Sequence, residues 1–313
     1  MGLSTAPTVF VAGATGSVGG AVSRQLRNIE WSVSAITRDV ESHAARSLLG
    51  FGVSLVQGDW DNVEVLKQQF RGVDMLFFLM SSSARPGFKD VQVGQAQSIL
   101  RIAREEGVKS VMYMSAMGCN DLDKWGVHWV AASPMTISMK SKHAIESLVR
   151  SSDFPLGYTI LRPGFFMTNF LGAKAAGYTA SGVWETALLP ETKLPIIDHE
   201  DIARFAVAAF QDPATFRGAE VALFSEMREP GELAEMLSGA TGKRIEVIFA
   251  SEQEIEKNMS SPFVMAQVAM RNMARFAGDG ALRKKWGIDM TGFEDFLQRE
   301  KKALGDTYAG LNQ

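Results

Sequence analysis

The sequence predicts an α/β fold: a doubly wound parallel sheet followed by a smaller C-terminal lobe. Three observations carry this. Six short apolar segments alternate with amphipathic helical segments over residues 1–162. A glycine-rich loop sits between the first strand and the first helix. The alternation breaks after Arg162-Pro163-Gly164. Buried parallel strands read as continuous apolar runs, because helices cover both faces of their sheet.

The elements follow in order. Thr8–Ala12 is a buried strand, and Ser17–Asn28 a helix with Val18, Val22 and Leu26 on one face. Ser32–Ile36 and Val40–Leu49 repeat the pair, as do Val53–Gln57 with Val63–Phe70 and Met75–Met80 with Val91–Glu106. Ser110–Met114 is the fifth strand, Ser138–Ser151 its helix and Leu156–Leu161 the sixth strand. Right-handed crossovers between parallel strands make the doubly wound sheet the expected topology. Beyond Gly164, Phe165–Lys174 reads as helical and Gly177–Gly182 as loop. Leu194–Ile197 and Glu220–Leu223 read as short strands. Asp198, with Asp201 three residues on, resembles a capping box opening a helix to about Phe210. Ser260–Asn272 is a methionine-rich helical stretch, read as packing on the lobe, and Thr291–Ala303 a final amphipathic helix. The expected division is 1–162 and 163–313, two cooperating, interleaved lobes.

Composition excludes several classes. The chain has 313 residues, a net charge of −3 and one cysteine, Cys119. Without a basic excess, binding to nucleic acid is not expected. One cysteine and four scattered histidines build neither a disulfide framework nor a metal site. No signal peptide and no apolar run of membrane-spanning length is present, so a cytoplasmic protein is expected, away from membranes. The oligomeric state is left open.

The loop Gly13-Ala14-Thr15-Gly16-Ser17-Val18-Gly19 places glycines at i, i+3 and i+6 between strand and helix. Gly13 suits a tight turn. Gly16 lets backbone N–H groups reach a pyrophosphate at the helix N-terminus, and Gly19 allows close helix packing. With Thr15, Ser17 and Val18, these residues are the expected dinucleotide cradle. The second strand ends in Thr37-Arg38, where a preference for NAD would call for an acidic residue. Arg38 can pair with a 2′-phosphate, which points to NADP, provided that Asp39 faces away. Asp59 either accepts from the adenine amino group or caps the following helix. Ser81 and Ser115 follow the fourth and fifth strands. They face the ligand crevice as hydrogen-bonding groups or serve as turn caps. His128 is the titratable candidate for proton donation, with a reference pKa near neutrality. Trp129, Phe165, Phe166, Tyr178 and Trp184 are either an aromatic substrate wall or core.

Together Gly13–Gly19, Arg38, Gly58-Asp59, Lys142-x-x-Ile145-Glu146 and Leu161-Arg162-Pro163-Gly164-Phe165-Phe166-x-x-Asn169 make the chain resemble the NmrA-like group of atypical short-chain dehydrogenase/reductases. The likeness continues through Ile197-Asp198-x-x-Asp201-Ile202-Ala203 and Phe216-x-Gly218. It implies a Rossmann-type domain, NADP binding, and a substrate cleft beside a small lobe. It also implies that Pro163 and Phe165 flank the nicotinamide and that Asn169 lies on the substrate side. The wider superfamily uses Tyr-x-x-x-Lys, in which lysine lowers the phenol pKa from one turn away. Lys142 matches the lysine, but Ser138 stands where the tyrosine belongs. Lys142 is therefore expected at the cofactor ribose and as an electrostatic or acid group. The expectation is an NADPH-dependent reductase of a small aromatic or conjugated carbonyl or quinone. The alternatives are a non-catalytic NADP sensor and a non-redox isomerase or cyclase.

Overall fold

The computed structural model describes residues 6–80, 91–127, 129, 133–278 and 285–311. Its main sheet has seven strands: β1 Thr8–Val11, β2 Ser32–Thr37, β3 Ser54–Gln57, β4 Met75–Leu79, β5 Ser110–Met114, β6 Gly157–Pro163 and β10 Ala219–Leu223. Their order is β10-β6-β5-β4-β1-β2-β3. The pairs among β1 to β6 are parallel, with Val9 opposite both Val33 and Met75. This is the doubly wound topology expected. The order reverses between β1 and β4, so a crevice opens where their C-terminal ends diverge.

The connecting helices are α1 Ser17–Asn28, α2 His43–Gly50, α3 Val63–Phe70, α4 Gln92–Glu105 and α5 Pro134–Ser151. Helix α2 begins at His43 rather than Val40, because the Ser42 side chain accepts from the Ala45 N–H and caps it there. Helix α5 begins at Pro134 rather than Ser138. The Ser133 hydroxyl accepts from the Thr136 N–H at 3.1 Å, and proline suits the first helical position. One core cluster runs through Phe10, Leu76, Phe78 and Tyr113 to Ile145 and Val149 of α5.

The chain divides into two compact units. The first comprises 1–120, 138–162 and 199–221, and the second 121–137, 163–198 and 222–313. A cut at 162 alone therefore does not separate them. Helix α7, His199–Gln211, belongs to the first unit. Arg24 and Gln25 of α1 donate to the Glu200 carboxylate at 3.0 and 2.7 Å.

In the second unit, Phe165–Lys174 is not a helix. Phe165–Phe166 forms β7, and Met167–Phe170 and Gly172–Ala175 are tight 3-10 turns. Strand β7 pairs in parallel with β9, Leu194–Ile197, which pairs antiparallel with β11, Glu226–Arg228. The pairing of Phe165 with Ile196, rather than helical periodicity, places the two phenylalanines. The stretch read as loop holds a one-turn helix, α6 Ala176–Thr179. A second pair joins β8, Val183–Thr186, to β12, Glu246–Phe249. Helices α8 Pro230–Thr241, α9 Glu252–Asn258 and α10 Pro262–Met270 follow. The expected final helix is two helices, α11 Phe293–Arg299 and α12 Lys301–Tyr308. Asp198 is fully buried, and both its carboxylate oxygens accept from Arg299 of α11. Phe170, Trp184, Leu233 and Phe293 centre this unit's core.

Candidate functional site

The glycine loop stands at the reversal of strand order. Gly13 has φ +68°, a conformation that suits glycine, and a β-carbon there would lie 3.0 Å from Leu79 at the end of β4. Gly19 is tighter: a β-carbon would lie 2.3 Å from the Gly13 carbonyl oxygen. The loop is thus pressed between β4 and α1. Thr15, Gly16 and Ser17 are exposed, while the side chain of Val18 and all of Gly19 are buried. Gly16 occupies the N-cap of α1 and brings no side-chain cap. The first-turn N–H groups of a helix have no intrahelical acceptor and favour an anion.

Arg38 and Asp59 follow the neighbouring strands β2 and β3, whose ends are tied by one backbone bond and one side-chain bond. Gly58 N–H donates to the Thr37 carbonyl at 2.9 Å, and the Gln57 side-chain Nε2 donates to the Arg38 carbonyl at 3.3 Å. Arg38 is exposed. Asp39 is turned aside, its carboxylate accepting from the Glu41 N–H at 2.9 Å. The Asp59 carboxylate accepts from the Asp61 N–H at 3.0 Å, while Asn62 caps α3. Asp59 therefore shapes the turn before the helix and remains exposed.

Lys142 reaches the same corner from α5. Its Nζ donates to the Met80 carbonyl at 3.4 Å, one residue beyond the leucine that touches Gly13. Burial depresses the Lys142 pKa, and the neighbouring Cys119 and Glu146 oppose that shift. The Cys119 thiol is itself pushed up to about 11 by burial.

Ser115, at the end of β5, is 2% exposed, and its hydroxyl donates inward to Glu146 at 2.6 Å. Glu146 is fully buried and accepts three further bonds: from Arg162 Nε at 2.8 Å, from the terminal Arg162 nitrogen at 2.7 Å, and from Arg150 at 2.8 Å. Glu220 of β10 accepts from Arg150 at 2.6 and 2.9 Å and from Arg162, and these bonds, those of Arg150 first, hold its carboxyl down to about 2. The sequence marked Glu146 only as part of the motif with Lys142 and Ile145, without a role of its own. Its signal was a carboxylate beside the core residues Ile145 and Val149, with Arg150 one turn on.

Ser81 and His128 lie outside the described residues. Pro163 ends β6, and Phe165 and Phe166 are half-buried. In the second unit, Phe165 and Tyr178 flank Phe170 at centroid distances of 5.8 and 5.7 Å, and Tyr178 meets Trp184 at 5.3 Å. Trp184 is 2% exposed and belongs to the core, whereas Tyr178 and Asn169 are half-buried. Trp129 sits in a different group: its ring is edge-on to Trp125 at 6.1 Å, and its indole donates to the Leu122 carbonyl at 3.0 Å. Among the described residues, no group of three His, Cys, Asp or Glu is placed to hold a metal, and no helix is long and apolar enough to cross a membrane.

Comparison with known proteins places this geometry. The sequence model of the NmrA-like family matches residues 5–305. The chain is 27% identical to an NmrA-like family domain-containing oxidoreductase, FrzB, from a Cladobotryum species, over 75% of this chain and 74% of that one. It is 26% identical to an NAD(P)H azoreductase from Xenophilus azovorans, over 80% of each. Among solved structures it is similar to NmrA, a negative transcriptional regulator in complex with NAD (TM-score 0.75, 18% identity, 98% of each chain). It is also similar to the NADPH-dependent quinone oxidoreductase QOR2 of Escherichia coli complexed with NADPH (TM-score 0.72, 20% identity, 93% of this chain and 99% of that one). Those two structures share the fold.

Proposed function

The chain belongs to the NmrA-like family, and from that premise we propose that it is a cytoplasmic NADPH-dependent reductase of a small aromatic or conjugated acceptor, such as a quinone, a dye or an enone. The observation that carries the reading is the convergence at one corner of the sheet. The exposed turn Thr15–Ser17, the Gly13 contact with Leu79 and the Lys142 bond to Met80 all meet where β1 and β4 diverge. Relatives named as oxidoreductases and as an NAD(P)H azoreductase support the same class.

The residues fit NADP(H). First-turn amides of α1 at Ser17 and Val18, behind the exposed turn Thr15–Gly16, take the pyrophosphate, and Gly19 lets the helix pack close against the Gly13 carbonyl. Exposed Arg38, unopposed by Asp39, takes the 2′-phosphate, and Asp59 lies beside it on the adenine side. Lys142 holds the nicotinamide ribose, and Pro163 ends β6 on the side of the ring. The bound cofactor supplies hydride. Lys142 offers its ammonium as a hydrogen-bond donor and a positive charge where negative charge develops. An acceptor protonated by water needs no phenol, and α5 carries no tyrosine.

One observation favours a second reading, a non-catalytic NADP sensor: the Ser115 hydroxyl, just after β5, is committed to Glu146. Stopped-flow loss of NADPH absorbance against a panel of quinones, azo dyes and enones separates the two. Turnover supports the reductase. Tight NADPH binding with no turnover on any acceptor supports the sensor.

A further inference from the structure

The charges behind Lys142 form a closed set, with Glu146 and Arg162 buried and Arg150 and Glu220 at the surface. Two carboxylates, Glu146 and Glu220, meet two guanidiniums, Arg150 and Arg162, and join α5, β6 and β10. Glu146 is central. Each of its oxygens accepts two hydrogen bonds, from Ser115 and Arg162 on one side and from Arg162 and Arg150 on the other. A carboxylate offers about four acceptor sites, so Glu146 is saturated and has none left for a ligand. Its position on α5 is thereby pinned to β5 through Ser115 and to β6 through Arg162. Lys142 stands one turn earlier on the same helical face, so the anchors that hold Glu146 also aim Lys142 at the Met80 carbonyl.

The charges facing Lys142 can be counted by element. From α5 come Glu146 and, one turn further, Arg150. His143 is adjacent, and its Nδ1 is engaged with the Cys119 carbonyl at 2.7 Å. From the end of β5 and the turn after it come Ser115, Tyr113 and Cys119. From β4 comes the Met80 carbonyl, from β6 Arg162 and from β10 Glu220. Burial keeps the Cys119 thiol and the Tyr113 phenol neutral at ordinary pH. The set of four is neutral as a whole. Without the charge of Glu146 it carries a net positive charge one turn from an ammonium.

We propose that Glu146 is a positioning residue for Lys142: it fixes the register of α5 and supplies the buried negative charge that keeps the Lys142 ammonium protonated. The proposal deepens the reductase reading, because Lys142 is the group that reading places at the cofactor.

The test is read without cofactor or acceptor, so its outcome is separate from whether the chain turns over. Protein labelled with 13C-lysine is titrated by NMR at the ε-carbon, and Lys142→Met assigns the Lys142 signal. In the wild type this signal titrates below the exposed lysines. In Glu146→Gln its midpoint falls by about one further pH unit, as expected for removing a unit charge at close range in a partly buried setting. Glu146→Asp restores most of the difference. Circular dichroism confirms that each variant is folded. Glu220→Gln leaves the four bonds of Glu146 in place and gives a smaller shift in the same direction, which keeps the test open if Glu146→Gln does not fold. An unmoved Lys142 midpoint in folded Glu146→Gln, or in folded Glu220→Gln when the first variant is unfolded, overturns the proposal and leaves Glu146 a packing residue only.

Discussion

The side chain of Leu79 stands 3.0 Å from the point where a β-carbon on Gly13 would lie, at a backbone φ of +68°. The loop after β1 and the end of β4 are therefore fitted to each other without room for a methyl group. Gly13→Ala is expected to cost about 1–2 kcal/mol from the left-handed backbone alone, with weaker NADPH binding from a displaced turn. Urea unfolding and a fluorescence titration of NADPH check the two effects. Unchanged affinity would separate the turn from the cofactor.

Gly19→Ala tests a different contact. Its β-carbon would overlap the Gly13 carbonyl at 2.3 Å, and that atom is backbone, so α1 must move away. The expected outcome is a larger loss of stability than at Gly13, together with loss of NADPH binding, measured by the same pair of experiments.

Arg38→Ala is expected to abolish a preference for NADPH over NADH while leaving NADH binding nearly as it was. A charge-assisted bond to the 2′-phosphate contributes about 1.5–3 kcal/mol, or roughly 10- to 150-fold in affinity. Isothermal titration with both cofactors measures it. Equal affinities in the wild type would remove the NADP assignment.

Acid should loosen the first unit through Glu220. Its carboxyl is held near 2 in the folded chain, chiefly by Arg150, against an ordinary value of 4.5. The unfolded chain thus takes up this proton first as pH falls. The stabilisation is complete above about pH 4.5 and is lost progressively towards pH 2. Unfolding free energies of the wild type and Glu220→Gln should converge over that window. Parallel pH curves would show that the pair contributes nothing.

Arg299→Ala is expected to destabilise the second unit by about 2 kcal/mol, the range for removing hydrogen bonds to a charged group. Asp198 is fully buried, and each of its carboxylate oxygens accepts from Arg299. Thermal unfolding measures the loss, and Arg299→Lys should recover only part of it, because ammonium cannot form the paired contact.

The first half of the chain was legible because its information is local. Helices Ser17–Asn28 and Val63–Phe70 and strand Ser110–Met114 have the bounds that periodicity and turn residues indicate. Where a cap decides the start, as Ser42 and Ser133 do, the bounds moved by three or four residues. The second half depends on partners far along the chain. Phe165–Phe166 is a strand only because Ile196 and Ile197 lie beside it. Asp198 stands just before α7, where the sequence places a helix cap, and its carboxylate also meets Arg299, 101 residues away, a contact no local pattern announces. Within the candidate site, the glycines and Arg38 could be named from spacing. The set around Glu146 could not, because its members come from positions 115, 146, 150, 162 and 220.

The docking of α7 on α1 has a consequence for how the chain is made. Arg24 and Gln25 wait for Glu200, 175 or more residues downstream. A ribosome releasing the chain from its N-terminus exposes β1 to β6 well before the helix that covers α1 has been synthesised. Chains halted near residue 162 should therefore be sticky and protease-sensitive rather than autonomous domains. Translation must pass residue 221 before the first unit can close.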